Sequence, residues 1–352
     1  RQWGDHFFKG MAGFQMELQE NSSEYMYKDG MLSEDIYSFD NANGTPYAAE
    51  ARSHWATMGM FARLNWNYRN IYFLEFSGRY DGSSRFAPDN RWGFFPSFSA
   101  GYDISRTPYF TKLNLPVSQL KVRVSYGRLG NQNGAGLYDY LGVMTLDPNN
   151  VNAWLLPGTG NKPAKGTISL TPKMISPYIT WEKVDNANIG LDLMLFDDRL
   201  SVTFDAYQRM TKDMIGPAEA IPAVSGIVPD DRAKINNATL RNRGWELSVN
   251  WQDKLKCGFS YGIGFNLFDY KAVVTKYNNH TGLARNKGYY EGMDIGEIWG
   301  FVADDLFMTN REVDDYLQSK DLSFFKADNL WQAGDLKYID VNRDGKVDPG
   351  KG

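Results

Sequence analysis

Long runs of period-two alternation dominate this sequence, and few folds accommodate them. In Leu120-Lys121-Val122-Arg123-Val124-Ser125-Tyr126 one face carries Leu, Val, Val and Tyr, and the other carries Lys, Arg and Ser. Trp245 to Trp251 repeats the pattern with Trp, Leu, Val and Trp against Glu, Ser and Asn. Tyr72, Leu74, Phe76 and Tyr80 alternate with Glu75, Ser77, Arg79 and Asp81, and Met60, Ala62, Leu64, Trp66 and Tyr68 with Arg63, Asn65 and Asn67. Further runs span Phe8–Leu18, Phe98–Ile104, Ile189–Leu195, Leu200–Ala206 and Phe259–Leu267. This periodicity sets successive side chains on opposite faces of a strand. The runs approach or exceed the roughly 9–11 residues that a tilted strand needs to cross a bilayer. Strands of soluble proteins average about 5–6. The predicted fold is all-β: a transmembrane antiparallel β-barrel, represented by about nine strands.

Composition matters here mainly for what it excludes. No run approaches the roughly 18 apolar residues of a membrane helix. A mean hydropathy of -0.49 is compatible with barrel strands, whose inward residues are polar. With 38 Lys+Arg against 42 Asp+Glu, nothing draws the chain to nucleic acid. The lone Cys257 forms no intrachain disulfide, and His6, His54 and His280 share no ligand spacing. No nucleophile, base and carboxylate set stands at catalytic spacing, so an enzyme is the least favoured class.

The connections give an independent signal. Long segments are expected at Gln19–Arg52, Gly82–Phe95, Leu129–Thr180, Met210–Ala238 and after Lys276. Short turns are expected at Arg69-Asn70, Asp197-Asp198-Arg199 and Gln252–Cys257, with a moderate connection at Thr107–Gln119. Outer-membrane barrels join strands by short periplasmic turns and long extracellular loops. The strand from Ile71 is then expected to run outward and that from Phe98 inward. Trp66, Tyr68, Tyr72, Trp251 and Phe259 flank short turns and predict an aromatic girdle at the periplasmic interface. Asn310–Leu317 breaks the alternation and predicts a helix capped by Thr309 or Asn310. The expected organisation is 1–275 as barrel strands with their loops. Residues 276–352 then form an extracellular region with a small helical insert and an acidic, Gly-containing loop. An odd strand count, the absence of an initiator Met and the unclosed acidic end lead us to expect a segment of a longer barrel.

Several runs resemble one family. They are Arg79-Tyr80-Asp81-Gly82-Ser83-Ser84-Arg85-Phe86, Asn90-Arg91-Trp92-Gly93-Phe94-Phe95-Pro96-Ser97-Phe98-Ser99-Ala100, Leu120–Gly127 and Gly130-Asn131-Gln132. Thr180-Trp181-Glu182-Lys183, Asn188–Asp192, Asn242–Leu247 and Gly334–Gly345 continue them in order. Together they resemble the SusC/RagA branch of TonB-linked outer-membrane proteins, over nearly the whole chain. The resemblance implies a plugged barrel of about 22 strands. It also implies TonB coupling through a part not recognisable in this sequence, a SusD-like surface lipoprotein as lid, a Bacteroidota-type outer membrane, and import of oligosaccharides or peptides.

Candidate site residues follow from their chemistry. Tyr138, Trp154 and Tyr178 offer aromatic faces for cargo or lid, and Arg85 and Arg91 could bind cargo or hold a structural loop. Asp340-x-Asn342-x-Asp344-Gly345-x-x-Asp348 places oxygen ligands at positions 1, 3, 5 and 9 of an EF-hand-like loop, with the Lys346 carbonyl at position 7. Position 12 is Lys351 and not Glu, so the expectation is a looser Ca²⁺ loop or a plain polar turn. The leading functional expectation is TonB-dependent import with lid, cargo and outer-membrane lipid as partners. A surface glycan-binding adhesin without transport is the alternative.

Overall fold

A computed structural model describes residues 2–113, 115–142, 174–218, 224, 232–277, 289–322, 324–325 and 331–348, together with the backbone of two small ladders between 146 and 169. One antiparallel sheet contains ten strands in chain order. They are β1 (Gln2–Trp3), β2 (His6–Tyr27), β3 (Tyr47–Tyr68), β4 (Tyr72–Ser83), β5 (Trp92–Asp103), β6 (Val117–Asn131), β7 (Glu182–Leu195), β8 (Leu200–Pro217), β9 (Lys234–Lys254) and β10 (Ser260–Lys276). The sheet does not close; β1 and β10 are its edges.

The register confirms the two-faced reading. Leu64 pairs with Phe76, Phe76 with Phe98, and Phe98 with Tyr126. Val122 pairs with Leu191, Leu191 with Phe204, and Phe204 with Leu247. Met60, Leu74, Val124 and Val249 share that apolar face. Arg63, Glu75, Arg79, Lys121, Arg123 and Glu246 stand on the other. Charge on a lipid-facing strand surface is costly, which sets the apolar face outward.

Register rows also climb across the sheet. Tyr68, Tyr72, Tyr102, Val122, Leu191, Phe204, Leu247 and Leu267 form one row. Tyr72 opens β4, Phe204 lies four residues past Leu200 at the start of β8, and Leu267 lies seven past Ser260 at the start of β10. This is the stagger that tilted barrel strands require.

The short turns are locally encoded. Arg69 and Asn70 both adopt positive φ, 53° and 54°, the left-handed pair of a type I′ hairpin. Ile71 N–H closes that turn on Tyr68 O at 2.9 Å. Arg69 also reaches Asp5 at 2.6 Å and so ties this turn to the one between β1 and β2. Phe196, Asp197 and Asp198 likewise turn at positive φ.

Strand ends differ from expectation on the extracellular side. β2 and β3 run through Gln19–Tyr27 and Tyr47–Arg52, paired throughout, so the loop is only 28–46. β5 begins at Trp92, β6 continues to Asn131, β8 to Pro217, β9 begins at Lys234 and β10 continues to Lys276. Beyond the hydrocarbon no face must be apolar, so these strands lose their alternation without losing their ladder. The parity of connection lengths also has one departure. The periplasmic connection 104–116 is longer than the extracellular 84–91, because a 3₁₀ turn and the helix α1 (Pro108–Thr111) fill it.

After β10 lies a small unit with the antiparallel strand pair β11 (Ala303–Leu306) and β12 (Leu336–Tyr338), and between them in sequence α2 (Asn310–Ser319). Thr309 caps α2, its hydroxyl accepting from Glu312 N–H at 3.2 Å, as the sequence predicts. Phe307, 1% exposed, packs under Tyr316 and Trp331.

Candidate functional site

Three regions hold the chemistry: the inward wall, the aromatic periplasmic edge and the extracellular rim. On the wall, Arg79 forks onto Asp81 at 3.0 and 3.1 Å, and Arg63 lies 3.5 Å from Glu75. Arg123 forks onto Asp192 at 2.8 and 3.0 Å and reaches Asp205 at 3.1 Å. Gly190 makes this triad fit. It pairs with both Arg123 and Asp205, and a Cβ there would sit 2.7 Å from Arg123 Nη2 and 2.5 Å from Asp205 Oδ1. Lys121 Nζ stands 4.7 Å from the Phe73 ring centroid. Lys9, Arg63, Glu75, Lys121, Arg123 and Asn188 border a cavity of about 520 Å³ on this face. Such a wall can face water or a polar plug.

The periplasmic edge carries the expected aromatic row. His6, Trp66, Tyr68, Tyr72 and Tyr102 follow one another at centroid distances between 5.0 and 6.3 Å. Tyr102 OH meets Tyr109 OH of α1 at 2.6 Å. Farther round, Phe196 lies 6.3 Å from Trp251.

The extracellular rim is built on buried apolar residues: Phe86, Phe95, Ala135, Ile179 and Trp181, flanked by Ile215. Trp181 Nε1 donates to Arg91 O at 2.9 Å, and Thr180 Oγ1 to Asn90 O at 3.1 Å. The Asn236 amide accepts from Thr180 N–H at 3.0 Å and donates to Thr180 O at 3.0 Å. Scattered loop segments are thereby sewn onto the tops of β5, β8 and β9. Trp55, Trp181 and Asn236 were not singled out by sequence reasoning. Trp181 had appeared only within the Thr180-Trp181-Glu182-Lys183 run that carries the family resemblance.

Of the predicted rim residues, Arg85 donates to Ala135 O at 3.2 Å and stacks 5.1 Å from the Trp55 centroid. Arg91 Nε donates to Phe86 O at 3.4 Å. Both hold loop structure, through carbonyls and an aromatic face. Tyr138 OH meets His54 Nδ1 at 3.2 Å. Tyr178 is 81% exposed, and Trp154 lies outside the described residues.

The acidic loop is organised differently from a cation shell. Asp340 is buried; its carboxylate takes Lys320 Nζ at 2.6 Å and the N–H of Gly345 at 2.9 Å and of Asp344 at 3.2 Å. Lys320 first, and the loop N–H groups after it, hold this carboxyl below the usual range. Asn342 Nδ2 donates to Asp344 Oδ2 at 3.1 Å. Lys346 donates its N–H to Asp344 Oδ1 at 2.9 Å, and Asp348 is exposed. Among the described residues, no three His, Cys, Asp or Glu side chains gather for a metal. In this arrangement Lys320 supplies the counter-charge that Ca²⁺ would supply, and the residues do not fit the ion as they stand.

Comparison with known proteins agrees with this geometry. The family described as "TonB dependent receptor-like, beta-barrel" matches residues 2–342. The TonB-dependent receptor SusC of Bacteroides thetaiotaomicron is 28% identical over 77% of this chain and 26% of its own length. The TonB-dependent receptor P39 of Formosa agariphila is 27% identical over 84% of this chain and 27% of its own. A chain of the RagAB peptide importer in its closed-closed state superposes with a TM-score of 0.71 at 22% identity, covering 87% of this chain and 32% of that one. This chain therefore spans about a quarter to a third of those proteins. It belongs to the TonB-dependent receptor β-barrel family, as part of a SusC/RagA-type barrel of the outer membrane.

Proposed function

We propose that this chain is part of the wall and rim of an energised importer for oligosaccharides or peptides, coupled to TonB and covered by a SusD-like lipoprotein. One observation carries the reading. The sheet joins an apolar outward face to an inward wall whose charges are paired in place, at Arg63–Glu75, Arg79–Asp81 and Arg123–Asp192–Asp205. A self-neutralised polar wall suits a wide lumen that holds a plug and passes a polar solute. Likeness to SusC and to a chain of the RagAB peptide importer supports the lid and the cargo class. The rim supplies an ordered platform for a lid, with Tyr178 projecting from it.

Deleting the gene is expected to abolish growth on one glycan or peptide source while monomers remain usable. Loss of the TonB partner should reproduce that defect. Uptake that survives collapse of the proton-motive force would overturn energised import in favour of a passive pore or a surface adhesin.

A further inference from the structure

Among the described strands, the outward face turns predominantly cationic at its extracellular edge along one arc. On β6 to β10 the apolar band ends near Tyr126, Ile189, Ala206, Trp245 and Leu267. Above it the register brings together Arg128, Lys183, Lys212, Arg241, Arg243 and Lys271, with Ala187, Met210 and Val273 between them. Acidic groups are present but subordinate. Asp185 binds Arg128 at 2.6 Å and Lys212 at 3.0 Å; its side chain is 8% exposed, whereas theirs keep 31% and 41%. The carboxylate thus lies beneath two cations and aims them outward. Lys183 pairs with Asp213 at 2.9 Å and Lys271 with Asp294 at 2.8 Å, and Asp269 faces out one row lower. Arg243 donates to the neutral Gln208 at 2.6 Å, and Arg241 has no carboxylate partner among the described residues.

The other arc differs at the same edge. There Tyr80 stacks on Trp92 at 5.0 Å, Phe94 is exposed beside them, and Arg52 on β3 is held by Glu50. Lipid headgroups lie just outside the hydrocarbon, and on this arc the apolar band gives way to cations on its extracellular side. Guanidinium and ammonium groups form charge-assisted bonds to phosphate oxygens.

We propose that the arc from Arg128 to Lys271 is a binding surface for a phosphate-bearing lipid headgroup of the outer leaflet. A lipid is the occupant because the cations continue a lipid-facing apolar band, so one molecule can bury acyl chains below and phosphate above. The proposal rests on the barrel and its orientation and is independent of the importer reading.

The test uses the full-length protein in detergent and native mass spectrometry. The probes are a diphosphorylated acylated disaccharide, the same lipid after phosphatase treatment, and inorganic phosphate. A cation beside an anionic lipid surface contributes a factor of about five, so Arg241→Gln with Arg243→Gln should weaken the phosphorylated lipid roughly 25-fold. Lys271→Gln alone should weaken it about five-fold and serves if the double variant misfolds. Arg52→Gln should change nothing. Equal binding of the dephosphorylated lipid, unchanged binding in both arc variants, or displacement by inorganic phosphate at equal concentration would each overturn the proposal.

Discussion

The membrane wall and the extracellular rim are built on opposite plans. In the wall, apolar side chains point away from the protein, and the charged ones meet each other inside. In the rim, Phe86, Phe95, Ala135, Ile179 and Trp181 are buried together, as in a soluble domain. The wall owes its order to backbone ladders in a medium that offers no other hydrogen-bond partner. The rim stands in water and needs a hydrophobic core to hold its loops. The two parts should therefore fail separately and under different substitutions.

The largest expected effect falls on the rim. Trp181→Ala should cost about 3–5 kcal/mol of local stability by emptying that core. Limited proteolysis of the full-length protein should show new cuts in 84–91, 132–142 and 174–181, while the barrel keeps its heat-modifiable gel mobility. Loss of the barrel as well would break the comparison. Next comes the lipid face. Leu247→Arg should cost about 2–4 kcal/mol when the protein folds into lipid vesicles, a price set by depth in the hydrocarbon. The neighbouring inward Glu246→Arg should cost much less, and equal costs would mean that the faces are misassigned. Arg123→Ala should be milder, about 1–2 kcal/mol, because Asp192 and Asp205 lose their partner where water still reaches them. Gly190→Ala should act in the same direction, since its methyl group displaces the same guanidinium.

Much of the wall was legible because lipid and lumen impose opposite demands on alternate residues. Leu120–Tyr126 and Trp245–Trp251 carry their two faces openly. The ladder of Gln19–Tyr27 with Tyr47–Arg52 was hidden, because water on both sides asks for no pattern. The rim core was also hidden. Its members come from separate loops and strand ends, and no periodicity links Phe86 to Ile179. Arg123 could be placed on the inner face from sequence, but its partners Asp192 and Asp205 needed the register. The Asp340–Gly345 spacing suggested a cation; Lys320, from the end of α2, could not be foreseen as that cation.

The smallest effect concerns this last pair. Because the folded Asp340 carboxyl titrates below its unfolded value, the pair's contribution is fully present above the unfolded pKa, near 4. It should fade as pH falls from there through the folded value. The protection of Gly345 N–H, taken relative to the intrinsic exchange rate at each pH, should fall over that acid window and stay level between pH 6 and 8. Lys320→Ala removes the competing ammonium, and calorimetry on the full-length protein should then detect Ca²⁺ binding that Asp344→Ala abolishes. Strong calcium binding with Lys320 intact would show that the loop rearranges around the ion.

The climbing register separates two properties of a pore that are usually considered together. In a closed barrel, bore is fixed by strand number and stagger, both of which reside in backbone pairing. What a solute meets is fixed by alternate side chains that take no part in that arithmetic. Substitutions at Arg63, Lys121 or Arg123 can therefore change the lining without altering the gauge. A two-residue insertion that shifts the pairing of β6 or β9 would keep the faces and act on the gauge itself, moving every row beyond it like a skipped thread on a screw. Descendants of such a barrel are free to change their lining by point mutation, and they change calibre only by rewinding the sheet.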